Sequence, residues 1–237
     1  MKAIILAAGR GKRMEELSKD TPKPMLKVCG KSLLHHKLDL MPEVITEVII
    51  VVGYLKDSIM NGIGNEYHGK KITYIVDDQA VQGNFFGTGY ALSLCKGCFT
   101  DDKDERFLVM MGDDIYPTED MQACIDTPDW AILVREMPSI LGKANVIFDA
   151  EGHLEEIREK SKTHEPGCIC AGMYLLTPKI FDYEIVPIGG GEFGLPQTIL
   201  SARHEVKVSA VVSTEWFQIT NPEDIKDAEI FFEQHER

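Results

Sequence analysis

The apolar positions fall into short blocks separated by polar stretches rich in glycine and proline. After its first residue, the segment 2–7 is an unbroken apolar run closed by glycines, which predicts a strand buried on both faces. Residues 8–30 read as a polar loop broken by Gly9, Gly11, Pro22, Pro24 and Gly30. Ser32 is placed to cap a helix that runs to Leu40 and stops before Pro42. Residues 47–52, rich in β-branched side chains, predict a second strand, 55–63 a helix and 71–76 a third strand. A glycine-broken loop at 79–89 leads into a helix over 90–98, and 106–111 is a fourth strand ending in Gly112-Asp113-Asp114. Strand and helix alternate with crossovers long enough for parallel pairing. That rhythm predicts an α/β protein with an open, mostly parallel sheet flanked by helices.

After about residue 130 the rhythm changes. Residues 131–135, 144–149, 153–157 and 168–176 read as short strands joined by turns, with Asp149-Ala-Glu-Gly152 as a hairpin turn. This half predicts a mixed or antiparallel lid built onto the sheet. Residues 206–212 are a further strand and 222–236 a closing helix, with Asn221 as cap and Pro222 in the first turn. No repeat, low-complexity tract or linker interrupts the 237 residues. A single domain with two lobes, 1–130 and 131–237, is the expected organisation.

Composition adds a boundary and charge adds a clue. Hydrophobic content of 44% and charged content of 27% exclude a disordered chain. The net charge is −13, yet residues 1–37 carry nine Lys and Arg against Glu15, Glu16 and Asp20, a local balance of +6. The remaining residues therefore carry −19. A positive field inside a negative protein suits a small anionic ligand, whereas nucleic acid and an anionic membrane would meet repulsion. The apolar run near the start is too short for a secretory leader, and no stretch approaches the ~20 apolar residues of a membrane span. A cytoplasmic location and six reduced cysteines are expected. Cys95 with Cys98 and Cys168 with Cys170 match zinc-ligand spacing only loosely.

The glycines after the first strand fit neither common phosphate-binding fingerprint. In a dinucleotide-binding G-x-G-x-x-G the third glycine would fall on Met14, and the second strand ends at Gly53 without an acidic residue. In a P-loop ending at Gly30-Lys31-Ser32 the earlier glycine would fall on Met25. What remains is a run of small residues and free backbone amides beside Arg10, Lys12 and Arg13, with Lys23 held between two prolines. Such a loop can close on a phosphate, and it can equally be a solvated basic surface.

Leu6-Ala-Ala-Gly-Arg-Gly-Lys-Arg-Met14, followed by Thr21-Pro-Lys-Pro-Met-Leu26 and Gly30-Lys31, closely resembles the signature of the sugar-1-phosphate nucleotidyltransferases, or nucleoside-diphosphate-sugar pyrophosphorylases. Further matches follow in order: Gly87-Thr88-Gly89, Gly112-Asp113, Gly142, Glu159-Lys160, Gly172-Met-Tyr174, Gly191-Glu192, and Trp216 with Pro222-Glu-Asp224. The resemblance implies a Rossmann-like, GT-A-like sheet with a nucleotide-binding lobe over 1–130 and a mixed, partly antiparallel sugar-binding lobe over 131–237. It implies Mg²⁺-dependent transfer of a nucleotidyl group from a nucleoside triphosphate to a sugar-1-phosphate, in NDP-sugar biosynthesis. By the same resemblance Ala8, Gly9, Gly11 and Arg13 would cradle the nucleotide phosphates, and Lys23 would bind phosphates at the reacting centre. Gln82, with Gln79 as competitor, would read the base edge, and Gly87 and Thr88 would complete the nucleotide side. Asp113 would hold Mg²⁺. Glu159 and Lys160 would touch the sugar and its phosphate, with Gly142 and Gly172 lining the sugar pocket. Arg13, Lys23 and Asp113 are thus the catalytic candidates, and Asp113 and Gln218 the metal ligands.

Four positions depart from the family pattern. Lys12 replaces Thr, Leu141 replaces a common Tyr, and Cys170 stands where many relatives carry a sugar-contacting Asn. Gln218 occupies the place of a second metal-binding Asp, and a neutral amide holds Mg²⁺ more weakly than a carboxylate. Two alternatives follow. Gly83-Asn84-Phe85-Phe86 is similar to a segment of phosphocholine cytidylyltransferases, and Gln218 is compatible with a catalytically silent regulatory homologue. The length leads us to expect no attached C-terminal β-helix and hence no acetyltransferase activity, and the resemblance leaves room for a homo-oligomer. Each residue also has a plainer reading. Asp113 and Asp114 could cap the next helix, Gly87 and Gly89 could break one, and Glu159-Lys160 could be an exposed charge pair. Trp216 reads as core, and His35-His36 as part of a solvated helix face.

Overall fold

The computed structural model describes residues 1–11, 19–79, 85–100 and 102–235. Arg13 and Gln82 lie outside the described residues.

One ten-stranded sheet organises the chain. Its strands are β1 (Lys2–Ala7), β2 (Glu47–Val52), β3 (Glu66–Tyr67), β4 (Lys70–Val76) and β5 (Phe107–Met111), then β6 (Trp130–Met137), β7 (Asn145–Phe148), β8 (Leu154–Arg158), β9 (Gly167–Leu176) and β10 (Val208–Val212). The strands β4, β2, β1 and β5 lie side by side in that order and all run parallel. Lys2 stands opposite both Glu47 and Phe107, and Glu47 opposite Lys71. Alternate residues of β1 feed two separate cores. Ala3, Ile5 and Ala7 pack with Val48, Ile50 and Val52 on one face, while Ile4 and Leu6 pack with Ile49 and Val51 on the other. Burial on both faces is why the run reads as apolar throughout instead of alternating.

Six helices are described: α1 (Leu33–Leu40), α2 (Lys56–Ile63), α3 (Thr88–Ser93), α4 (Thr118–Asp126), α5 (Leu195–Ser201) and α6 (Pro222–His235). The Ser32 hydroxyl accepts from the His35 amide at 3.2 Å, the expected cap of α1. The helix expected over 90–98 is shorter and starts earlier. After Ser93 the chain tightens into i→i+3 bonds, from Cys95 N to Leu92 O and from Cys98 N to Cys95 O.

The two halves of the chain meet at β9. Its last residues pair antiparallel with β5, from Met173 opposite Met110 to Leu176 opposite Phe107, while Cys168 near its start pairs with Val146 of β7. Along its other edge runs β6, which in turn pairs parallel with β10. The strands after residue 130 therefore continue the first sheet rather than forming a lid laid on it. Met173, Tyr174, Leu175 and Leu176 are all buried, so this stretch of β9 suits an interior position.

A third, smaller core of Leu26, Val28, Leu33, Ile115, Ile219, Ala228 and Phe232 holds α6 near α1. His36 is part of this packing and corrects the expectation of a solvated His35-His36 pair. Its ring stacks on Phe232 with centroids 3.9 Å apart, and its Nε2 donates to the Val28 carbonyl at 2.8 Å. Local pattern could not reveal this, because the residue that covers His36 arrives from the far end of the chain. Among the described residues no helix is long and apolar enough to cross a membrane.

Candidate active site

The order of the parallel strands reverses between β1 and β5, and the carboxyl ends at such a reversal are where open α/β sheets bind ligands. Ala8 is buried at the end of β1, and its carbonyl accepts from the Tyr54 amide at 3.2 Å. A Cβ on Gly9 would meet nothing within 4 Å among the described residues, and Gly11 takes φ +61°, a left-handed conformation that a side chain would resist. Tyr54 reaches both described flanks of this loop. The Arg10 guanidinium lies 6.0 Å from its ring centroid, and its hydroxyl donates to the Lys19 carbonyl at 2.9 Å.

On the neighbouring strand end Gly112 donates its amide to the Leu6 carbonyl at 2.9 Å, and a Cβ there would stand 2.9 Å from the Ala7 Cβ. That close packing sets the position of Asp113. Lys23 opens a 3₁₀ turn, Lys23–Met25, between two prolines. Its side chain is buried, and its amine donates to Asp113 Oδ2. The motif residues Lys23 and Asp113 are thus in contact. Neither Asp113 nor Asp114 caps α4, whose N-cap is Pro117 without a side-chain hydrogen bond.

Behind Asp113 lies a buried polar cluster. Asp114 Oδ2 accepts from Trp216 Nε1 at 3.2 Å and from the Tyr116 hydroxyl at 3.3 Å, while Oδ1 is buried with no hydrogen-bond partner among the described residues. Trp216 is thus partly core, as read, and also a donor to this carboxylate. Lys37 of α1 is fully buried, donates to the Asp114 carbonyl, and stands 4.5 Å from the Tyr116 ring centroid. Burial, reinforced by the charge of Asp113 and opposed by Lys37, pushes the Asp114 carboxyl up to about 7. Burial lowers the Lys37 amine to about 8 against the pull of Asp114 and Asp113.

The later half of the chain brings further motif residues to this end of the sheet. Gly172, at φ +75°, sits in an irregular stretch of β9. A Cβ on it would stand 2.7 Å from Met111 Cγ and 3.3 Å from Asp114 Oδ2. Cys170 accepts from the Gly172 amide at 3.4 Å and touches the Tyr174 hydroxyl at 3.0 Å, and burial pushes its thiol up. Gln218 is exposed on a two-residue ribbon that pairs antiparallel with Asp114–Ile115, opposite Asp114 itself.

A second group of motif residues is tied together by contacts of its own. The Gly142 amide donates to the Ser161 carbonyl at 2.8 Å, next to Lys160, which itself takes φ +48°. Glu159 is exposed, as the plainer reading held, but its contact is Gln197 Nε2 at 2.5 Å rather than Lys160. Gly87 and Gly89 do more than break a helix. Gly87 has φ +103°, a Cβ there would stand 2.4 Å from the Phe193 carbonyl oxygen, and the Thr88 hydroxyl accepts from the Leu195 amide at 3.0 Å. The hairpin of Val186–Gly189 and Glu192–Gly194 therefore docks directly on the start of α3.

A profile of the nucleotidyl transferase family matches residues 2–235. The chain belongs to that family.

Among nucleotidyl transferases of known function, it is 32% identical over 242 residues to the UTP–glucose-1-phosphate uridylyltransferase AglF of Haloferax volcanii, covering 97% of this chain and 95% of that protein. It is 31% identical over 231 residues to the bifunctional protein GlmU of Methanocaldococcus jannaschii, covering 96% of this chain. The chain spans 53% of the length of that GlmU. A Bacillus anthracis structure assigned as a glucose-1-phosphate thymidylyltransferase shares the fold, with a TM-score of 0.80 at 23% identity over 98% of this chain and 94% of that one.

As a nucleotidyl transferase site, the constellation suits Mg²⁺ by its donor chemistry. Asp113 offers a carboxylate with about a third of its side chain exposed (34%), and Gln218 an amide oxygen on the adjacent ribbon. Both are hard oxygen donors, and Mg²⁺ keeps several waters, so one or two protein ligands are enough. Among the described residues no group of three or more His, Cys, Asp and Glu is placed to hold a metal.

Motif matching missed Lys37, the Asp114 cluster and Gln197. Lys37 did leave a signal. Leu33, Leu34, Lys37 and Leu38 share one helix face, so a charged residue interrupts an apolar stripe. Gln197 left none, because its contact depends on how α5 meets the end of β8.

Proposed function

We propose that this nucleotidyl transferase catalyses Mg²⁺-dependent transfer of a nucleotidyl group from a nucleoside triphosphate to a sugar-1-phosphate, releasing pyrophosphate. The observation that carries the reading is the meeting of Lys23 and Asp113 at the strand-order reversal, beside the glycine loop. The attacking phosphate oxygen of a sugar-1-phosphate is already anionic near neutral pH, since its second pKa is ~6. No general base is needed. The barrier is repulsion between two anions and charge growing on the leaving pyrophosphate, so catalysis rests on positioning and electrostatic stabilisation.

Mg²⁺ held by Asp113 and Gln218 would supply charge neutralisation between the two phosphates. Lys23 exchanges its carboxylate partner for a phosphate oxygen. Arg13 and the amides of Ala8, Gly9 and Gly11 neutralise the nucleotide phosphates, and Lys160 meets the phosphate of the sugar. Gln82 reads the base, Gly87 and Thr88 shape the nucleotide side, and Gly142, Glu159 and Gly172 shape the pocket for the sugar. UTP with glucose-1-phosphate is the first pair to try, because the relative matched over nearly its whole length is a UTP–glucose-1-phosphate uridylyltransferase.

The test is pyrophosphate release with Mg²⁺ over a matrix of nucleoside triphosphates against sugar-1-phosphates and phosphocholine. Asp113→Asn should lower turnover at least ~100-fold, as for loss of a major charge-stabilising group. Undiminished turnover in that variant removes Asp113 from the site. Turnover with phosphocholine alone moves the acceptor class, and silence with every pair leaves a binding homologue.

A further inference from the structure

The geometry points to Gln197 as a positioning residue that aims Glu159 at the acceptor substrate, a proposal that rests on the sugar-1-phosphate reading above. Glu159 is an exposed carboxylate just past the end of β8, on a side chain with several rotatable bonds. Its hydrogen bond from Gln197 Nε2, at 2.5 Å, engages Oε1 and leaves Oε2 to accept from a hydroxyl. A carboxylate held in one rotamer recognises a hydroxyl better than one that must be ordered on binding.

The surroundings of Gln197 are built around this arrangement. Its Oε1 is buried and has no hydrogen-bond partner among the described residues, an expense native structures rarely tolerate without a reason. Gly194, at the start of α5, makes the space. A Cβ on Gly194 would stand 1.8 Å from Gln197 Oε1 and 2.7 Å from its Cδ. The backbone there is ordinary extended chain, φ −93° and ψ 127°, so conformation does not require glycine and the carboxamide does. The same helix start is tied to the nucleotide side, since the Leu195 amide donates to the Thr88 hydroxyl at 3.0 Å. Thr198 fixes the turn by donating to the Gly194 carbonyl at 2.8 Å. Gln197 thus stands on an element anchored to the nucleotide loop and reaches across to the acceptor side.

The experiment is steady-state pyrophosphate release with the best pair of the matrix, UTP and glucose-1-phosphate taken first. Gln197→Met keeps the length of the side chain and removes the amide. It should raise the KM for the sugar-1-phosphate ~10-fold, the scale of one hydrogen bond to a charged group, with kcat and the triphosphate KM within ~2-fold. Gly194→Ala should give the same acceptor-selective rise, because its methyl group displaces the carboxamide. The double variant should be no worse than Gly194→Ala alone, since both changes break one contact. Thermal melting of each variant reports whether the fold is kept. An unchanged acceptor KM in Gln197→Met, beside a raised one in Glu159→Gln, overturns the role of Gln197 while sparing the acceptor site. Equal rises in both substrate KM values with a lowered melting point also overturn it, in favour of a purely structural role. An unmoved acceptor KM in Glu159→Gln overturns both the proposal and the acceptor pocket on which it rests.

Discussion

Replacing Lys37 with Met removes a buried amine that faces a buried carboxylate, and the consequence depends on pH in a calculable way. In the metal-free wild type, burial raises Asp114 from 3.8 to about 7 and lowers Lys37 from 10.5 to about 8. Between pH 3.8 and about 7 the folded state binds the Asp114 proton more tightly than the unfolded chain, so stability falls as pH rises. Between about 8 and 10.5 the unfolded chain holds the Lys37 proton that the folded state has lost, so stability climbs again. Without Lys37 the climb disappears. Asp114, deprived of its cation, also titrates higher, which prolongs the fall by up to ~1.4 kcal/mol per pH unit above 7. From pH 6 to pH 9 the variant should therefore lose up to ~4 kcal/mol relative to wild type. At pH 5–6 it should be nearly as stable, because the wild type then carries a buried amine facing a neutral acid, and only a bond to the Asp114 carbonyl worth ~1 kcal/mol is lost. Urea unfolding of both proteins in EDTA across this range reads the difference directly. Adding Asp114→Asn to the Lys37→Met variant should flatten its profile. Parallel curves for Lys37→Met and wild type would mean that the pair is not electrically coupled, and the reading of this cluster would be lost.

The remaining predictions concern the candidate site and its supports. Lys23→Met should cut pyrophosphate release ~100-fold with a melting point near that of wild type, so a large fall in stability with activity retained would demote Lys23 to scaffolding. Gly87→Ala should cost ~2–4 kcal/mol and several degrees in a thermal melt, because φ is +103° and the methyl group meets backbone atoms of Phe193. Buried Asp120 accepts from the Ser213 hydroxyl at 2.8 Å, the Thr214 amide at 3.0 Å and the Thr214 hydroxyl at 2.8 Å. Asp120→Ala should thus destabilise by ~2–4 kcal/mol and shift the fluorescence of nearby Trp216, read in a Trp130→Phe background.

Strands β1, β2, β4 and β5, helices α1 and α2, and the caps at Ser32 and Asn221 are legible in the sequence because short-range physics sets them. An apolar run flanked by glycines has few alternatives to a buried strand, and a hydroxyl or amide oxygen three residues before a free amide has few alternatives to a cap. The motif residues are legible for a related reason: a glycine-rich loop constrains its own neighbouring residues. The contacts that make a site of them are not local. Lys23 meets Asp113 and Lys37 meets the Asp114 carbonyl only after β1 and β5 have taken adjacent places in one sheet, and Glu159 meets Gln197 only where α5 closes on the end of β8. The forked pairing of β9 and the cover that α6 lays over His36 belong to the same class. A side chain's periodicity announces that it will be buried but not what it will meet. Partner choice is a property of packed surfaces, and those exist only once the chain has closed on itself.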